Sequence, residues 1–260
     1  MRSDALDNAM PDDSARADEL RRLEETYIQE ERWEDLAGLF IERTEAATSS
    51  AERAGYLIHA AEIFESKLDD PDRAFITLLA ALPEDPSNED LSSRLARLST
   101  EQNRWHDLLT ECERLVPDIG SDAKRAELLV TMAGWYRDHL EDSAAAEKSL
   151  EAARKASPAY PPAFRPLVDW HGQRGEWATV ANILTTASAS SESPETRIAL
   201  AMEAAEIYRK HLSDTDSAAE LYRSVLALSP GHSLATAAMA EIAWEQKDWS
   251  TAVPLFETLA

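Results

Sequence analysis

Apolar residues in this chain recur at i, i+3, i+4 and i+7, the spacing of a helix that buries one stripe of its surface. Leu57, Ala60, Ala61 and Phe64 form one such stripe, and Ala74, Leu78 and Ala81 form a second. Between them stands Leu68-Asp69-Asp70-Pro71. Asp70 is placed to accept a bond from an orphan backbone N–H, and Pro71 suits a first turn, where a missing N–H costs nothing. Reading stripes, caps and breakers along the 260 residues predicts helices near 14–30, 32–47, 51–68, 71–82, 87–102, 104–116, 122–140, 142–156, 160–174, 176–189, 194–212, 214–228, 232–246 and 248–260. Residues 1–12 read as a disordered N-terminal segment, and 13–260 as one repeat domain.

The pattern repeats. Trp33, Trp105, Trp177 and Trp249 are evenly spaced, since 105 − 33, 177 − 105 and 249 − 177 all equal 72. The same step relates Ala61, Ala133 and Ala205, then Phe64, Tyr136 and Tyr208, then Ala74, Ala146 and Ala218. Pro86, Pro158 and Pro230 bar helix continuation at the same interval. Each unit therefore holds four helices in two hairpins. The alanines are expected to let antiparallel helices approach closely while the aromatic residues fill the space beside them. The four tryptophans are expected at the start of a second helix, each plugging the seam against the next hairpin. The four tryptophans with Ala61, Ala133, Ala205, Phe64, Tyr136 and Tyr208 form the expected structural repeat core.

One hairpin reads Leu57-x₂-Ala60-Ala61-x₂-Phe64, then Ala74-x₃-Leu78, then Pro86, and its copies read Ala133-x₂-Tyr136 and Ala205-x₂-Tyr208. This resembles the tetratricopeptide repeat, a helix pair with small and aromatic residues at fixed spacing and a closing proline. The resemblance spans about residues 14–260. It implies an all-α, open, right-handed superhelical solenoid of about seven antiparallel hairpins. It also implies a scaffold or adaptor that holds a protein or peptide segment in a concave groove lined by first helices. Carried over position by position, the candidate groove residues are Glu62, Arg97, Arg137, Glu206, Arg209 and Trp244. The family's grip on a C-terminal carboxylate uses asparagine. The matching positions here are Glu25, Glu62, Arg97, Gly134, Asp169, Glu206 and Glu241, so that mode is not expected. The segment from Trp249 would leave Val253, Leu255, Phe256 and Leu259 facing a further hairpin. The expectation is an array that continues past 260 or self-associates through its C-terminal hairpin, with Pro254 distorting the final helix.

Charge narrows the partners. Asp and Glu number 49 against 26 Lys and Arg, a net charge of −23. A field of that sign repels phosphate backbones and anionic lipid, so nucleic acid and membranes are not expected partners and a basic one is favoured. The acidic start has no apolar run of signal-peptide length, and Ile76–Leu82 is far too short for a membrane span. The expected location is the cytoplasm. Chemistry is sparse: Cys112 stands in a core slot, and the six histidines show no metal-ligand spacing. No nucleophile elbow, P-loop or dinucleotide fingerprint occurs. The sequence thus predicts no catalytic residue, cofactor or metal. Other readings are a helical arm of a larger enzyme or regulator, a half-tetratricopeptide scaffold for RNA processing, and an α/α-barrel hydrolase.

Overall fold

The computed structural model describes residues 13–259, so the expectation for 1–12 lies outside the described residues. The chain divides into two compact units, a first ending at Leu115 and a second beginning at Val116. The first contains α1 (Asp13–Gln29), α2 (Trp33–Ala46), α3 (Ser50–Ser66), α4 (Pro71–Ala81), α5 (Glu89–Glu101) and α6 (Trp105–Leu115). The second contains α7 (Asp122–His139), α8 (Ser143–Ala156), α9 (Pro161–Gln173), α10 (Trp177–Ser190), α11 (Pro194–Ile207), α12 (Thr215–Leu228), α13 (Ser233–Glu245) and α14 (Trp249–Leu259). The described residues hold no strand. Within each unit every helix packs on its neighbours in chain order, which is how a repeat array buries its stripes.

The helices begin where the side chains dictate. Ser49, Ser121 and Ser193 cap α3, α7 and α11, each accepting the backbone N–H three residues on. Asp70, Asp142 and Asp214 do the same for α4, α8 and α12. Both sets keep the 72-residue step. His232 caps α13 through Nδ1, 3.2 Å from the Ala235 N–H.

The helix ends keep the step as well. Seven described residues have positive φ: Glu31, Asn103, Gly175 and Lys247 form one series, and Asp69, Glu141 and Ser213 the other. Each lies just past a helix in the left-handed conformation that reverses a chain. In the first series the following N–H donates back to the carbonyl five residues earlier: Arg32 to Tyr27, Arg104 to Ser99, Glu176 to His171 and Asp248 to Ala243, at 2.8–2.9 Å. In the second the bond reaches six residues back, from Asp70 to Phe64, Asp142 to Tyr136 and Asp214 to Tyr208. After α11 the chain winds Tyr208–Leu212 as a π turn, while the helices before the two other copies of this closure stay α-helical to their ends.

Cores form along each run of hairpins. Ala61, Ala133 and Ala205 are buried, as are Ala74, Ala146 and Ala218. Leu78, Leu150 and Tyr222 fill one recurring slot, each buried apolar side chain stabilising by roughly 1.5–3 kcal/mol. Phe64 is buried, whereas Tyr136 and Tyr208 are half-buried. The last helix, α14, continues through Pro254. The proline lies on an exposed face, where water satisfies the carbonyl it leaves unpaired.

The cap carboxylates of Asp70 and Asp214 are held below the ordinary carboxylate range, chiefly by the backbone N–H bonds from Arg73 and Ser217. A depressed carboxyl stabilises fully above its unfolded pKa of about 4 and loses that contribution as pH falls through its folded value. The thermal midpoint is therefore expected to fall on acidification below about pH 4, and to fall less in the double variant Asp70→Asn, Asp214→Asn, measured by circular dichroism.

Candidate functional site

The four tryptophans open α2, α6, α10 and α14, as expected. They are seam covers rather than core. Trp33, Trp105 and Trp177 are half-buried, and Trp249 is 49% exposed. A ring at a first helical position meets the preceding helix on one side and relies on the following hairpin for the other. Lys67 Nζ lies 4.9 Å from the Trp33 ring centroid, and His211 stacks on Trp177 with centroids 3.7 Å apart. Each covering residue comes 34 positions after its tryptophan, at the end of the next first helix. Trp177 also lies against Gly172, where an added Cβ would come 3.6 Å from the ring.

The candidate groove residues fall on first helices, and most of their charges already have partners. Arg97 on α5 pairs with Glu65 on α3 and with Glu101. Arg209 at the end of α11 pairs with Glu241 on α13 at 2.7 Å. Glu206 accepts from Lys210 and from the Tyr222 hydroxyl at 2.7 Å. Lys210 first and Tyr222 second hold that carboxyl below its ordinary range, while burial pushes the Tyr222 phenol up. Arg137 chelates its neighbour Asp138. Glu62 and Arg137 are exposed, and Trp244 is 55% exposed.

The inter-hairpin pairs reveal an exchange of sign. One step of 72 carries Glu65 to Arg137 and two carry it to Arg209, while Arg97 becomes Asp169 and then Glu241. The first array joins an acid on the earlier helix to a base on the later, and the last array joins a base to an acid. Thus Arg97 and Arg209 bind hairpins to each other, while Glu206 ties α11 to α12 within one hairpin, roles invisible to a reading of one helix at a time.

A cleft that the sequence reading missed lies between the second helices α4 and α6. It has a volume of about 750 Å³, and its apolar wall is Phe75, Ile76 and Leu79 from α4, Pro83 just past the end of that helix, and Leu115 from α6. Arg104 crosses its floor, 4.1 Å above the Phe75 ring and 3.0 Å from Asp72. The repeat register held the signal: Ile76 is Lys148 and Glu220 in the next two copies, and Leu79 is Glu151 and Arg223. Cys112 is fully buried, and burial pushes its thiol up to about 12. Among the described residues no cluster of His, Cys, Asp and Glu is arranged to hold a metal ion, and no helix is long and apolar enough to cross a membrane.

No protein-family model matches the chain, and no curated protein does. Among solved structures it is similar to a tetratricopeptide repeat protein from Parabacteroides merdae, with 15% identity over 93% of this chain and 91% of that one and a TM-score of 0.34. It is similar to PilF of Pseudomonas aeruginosa, with 19% identity over 84% of this chain and 94% of that one and a TM-score of 0.37. A third similar structure is PilW, a type IV pilus biogenesis factor, with 16% identity over 82% of this chain and 93% of that one and a TM-score of 0.31.

The half-exposed pair Arg209–Glu241 is expected to show a coupling of about 0.2–1 kcal/mol in a double-mutant cycle on urea stability, shrinking in about 1 M salt. The Cys112 thiol should stay unmodified by a thiol-specific reagent in native buffer and react within minutes in denaturant. Rapid native labelling would show the site opens locally.

Proposed function

We propose that this chain is a helical-repeat scaffold that holds a partner protein without catalytic turnover, and that an apolar helix face of the partner seats in the cleft between α4 and α6. One observation carries the reading. The outward face of α4 breaks the polar pattern that the protein's own repeats establish there. Ile76 is 59% exposed, where the copies present Lys148 and Glu220 to solvent. An exposed apolar wall beside a cleft marks a contact surface, because its burial comes only with a partner.

The first-helix face contributes less than the family resemblance implies. The charges of Arg97, Glu206 and Arg209 act within the array, so a segment along the first helices of the first unit meets chiefly Glu62, and one along those of the second unit meets chiefly Arg137 and Trp244. The net charge of −23 favours the approach of a basic partner by long-range attraction rather than by a shaped contact.

The protein's own copies supply the test. Ile76→Lys with Leu79→Glu installs the residues of the next repeat, and stability is expected to change by no more than about 1 kcal/mol. In parallel affinity captures quantified by mass spectrometry, partners held by the unaltered chain should be depleted about tenfold on the variant, a loss of roughly 1.4 kcal/mol. Equal recovery on both baits would remove the cleft as the contact surface.

A further inference from the structure

A pocket of about 430 Å³ lies inside the second unit, walled by α9, α10 and α11. The chain packs further hairpins both before and after it. Val168, Val180 and Ile207 line it beside the half-buried ring of Trp177. It opens where the repeat register loses a side chain. Gly172 lies in its wall, and the other copies of that position carry Ile28, Thr100 and Trp244. Two carboxylates also line it, Asp169 and Glu203. Glu203 is held by Arg165 at 2.8 Å. Asp169 is exposed and has no ion pair among the described residues.

The repeat register shows why that carboxylate is open and what it fits. Glu65–Arg97 and Arg209–Glu241 tie neighbouring first helices, and each sets a guanidinium against a carboxylate. The middle member of the series would be Arg137 with Asp169. It is not made. Arg137 turns onto its neighbour Asp138, with Nε 2.7 Å from Oδ1, and the copies of Asp138 are Ser66 and Lys210, neither an acid. Asp169 thus has the place that Glu241 has one step later, without the arginine. A guanidinium pairs with a carboxylate through two parallel bonds and lies flat on an aromatic face, while its aliphatic stem covers apolar surface. We infer that this pocket binds an arginine side chain of a partner polypeptide, its guanidinium on Asp169 and its stem along Trp177 and Ile207. The net charge of −23 draws such a partner in at long range. The contact is separate from the α4/α6 cleft: it belongs to the second unit and rests on different residues, so its failure would leave the cleft reading intact.

The probe is a polyalanine peptide, capped at both ends, with one central arginine. It is titrated into the full chain while the tryptophan indole ¹H–¹⁵N signals are followed by NMR, and the Trp177 signal is expected to move. A peptide with citrulline in place of arginine keeps the shape and loses the charge. It should bind about five- to tenfold more weakly, because it gives up both the ion pair and the cation–π contact. Asp169→Asn should weaken the arginine peptide about two- to fivefold and leave the citrulline peptide unchanged. Asp138→Ala frees Arg137 to close on Asp169 as Arg209 closes on Glu241, and should weaken the arginine peptide by a similar factor with Asp169 intact. Gly172→Thr installs the residue of the preceding copy and should weaken both peptides by narrowing the pocket. Asp138 and Asp169 are exposed, and a Cβ at position 172 meets the Trp177 ring at an ordinary 3.6 Å. All three variants are therefore expected to keep the unaltered chain's circular dichroism, which secures the comparison. The inference is overturned if the two peptides bind equally, if any of the three variants binds the arginine peptide as the unaltered chain does, or if the Trp177 indole does not move at a peptide concentration of about 10 mM.

Discussion

Every helix of this protein can bury its apolar stripe only against the helices beside it in the chain, so the polypeptide must turn back on itself within a few residues, again and again. That reversal is the constraint on which the rest depends. It is met by a left-handed residue after α1, α3, α5, α7, α9, α11 and α13. Six of the seven are not glycine, and a side chain in that conformation carries strain that the back-reaching N–H bonds and the caps of the next helix must offset. The turns recur at one interval, and so do the alanines that meet across each hairpin. The array is a consequence of two alternating reversal geometries, each applied at a fixed period.

Much of this was legible in the amino-acid order. Asp70, Asp142 and Asp214 announce helix starts because a cap is a local event, decided by a side chain and an N–H three residues away. The alanine stripes announce close packing because small residues in helical register have few other uses. Burial of the tryptophans was harder to read, because a ring at a helix start is covered by a residue 34 positions on, contributed by another hairpin. The groove charges misled for the same reason. Arg97 and Arg209 look outward when each helix is drawn alone, and only the neighbouring first helix shows that Glu65 and Glu241 reach them. The π turn at Tyr208–Leu212 left no sequence mark beyond the step it shares with regular copies.

The proposed contact surface and the aromatic end share one logic. Each lies where an outward-facing position leaves the pattern of its copies. Ile76 departs from Lys148 and Glu220, and Trp244 departs from Gly172. In each case the change places apolar or aromatic area in water where the copy has a polar group or no side chain at all. A repeat protein thus carries its own reference for what folding alone requires, and the exceptions stand out against it without recourse to any other chain.

The reversed polarity of the inter-hairpin ion pairs also bears on how the array assembles. Similar hairpins in one chain invite mispairing during synthesis and exchange between molecules, since each offers nearly the same stripe to any neighbour. Were the α3/α4 hairpin to take the place of α11/α12, Glu65 would come to face Glu241, and two carboxylates would replace an ion pair. Were α11/α12 to take the place of α3/α4, Arg209 would face Arg97. Like charges at such a contact discriminate against the wrong partner without adding much to the right one. The swapped pairs would therefore disfavour docking of either hairpin in the other's place.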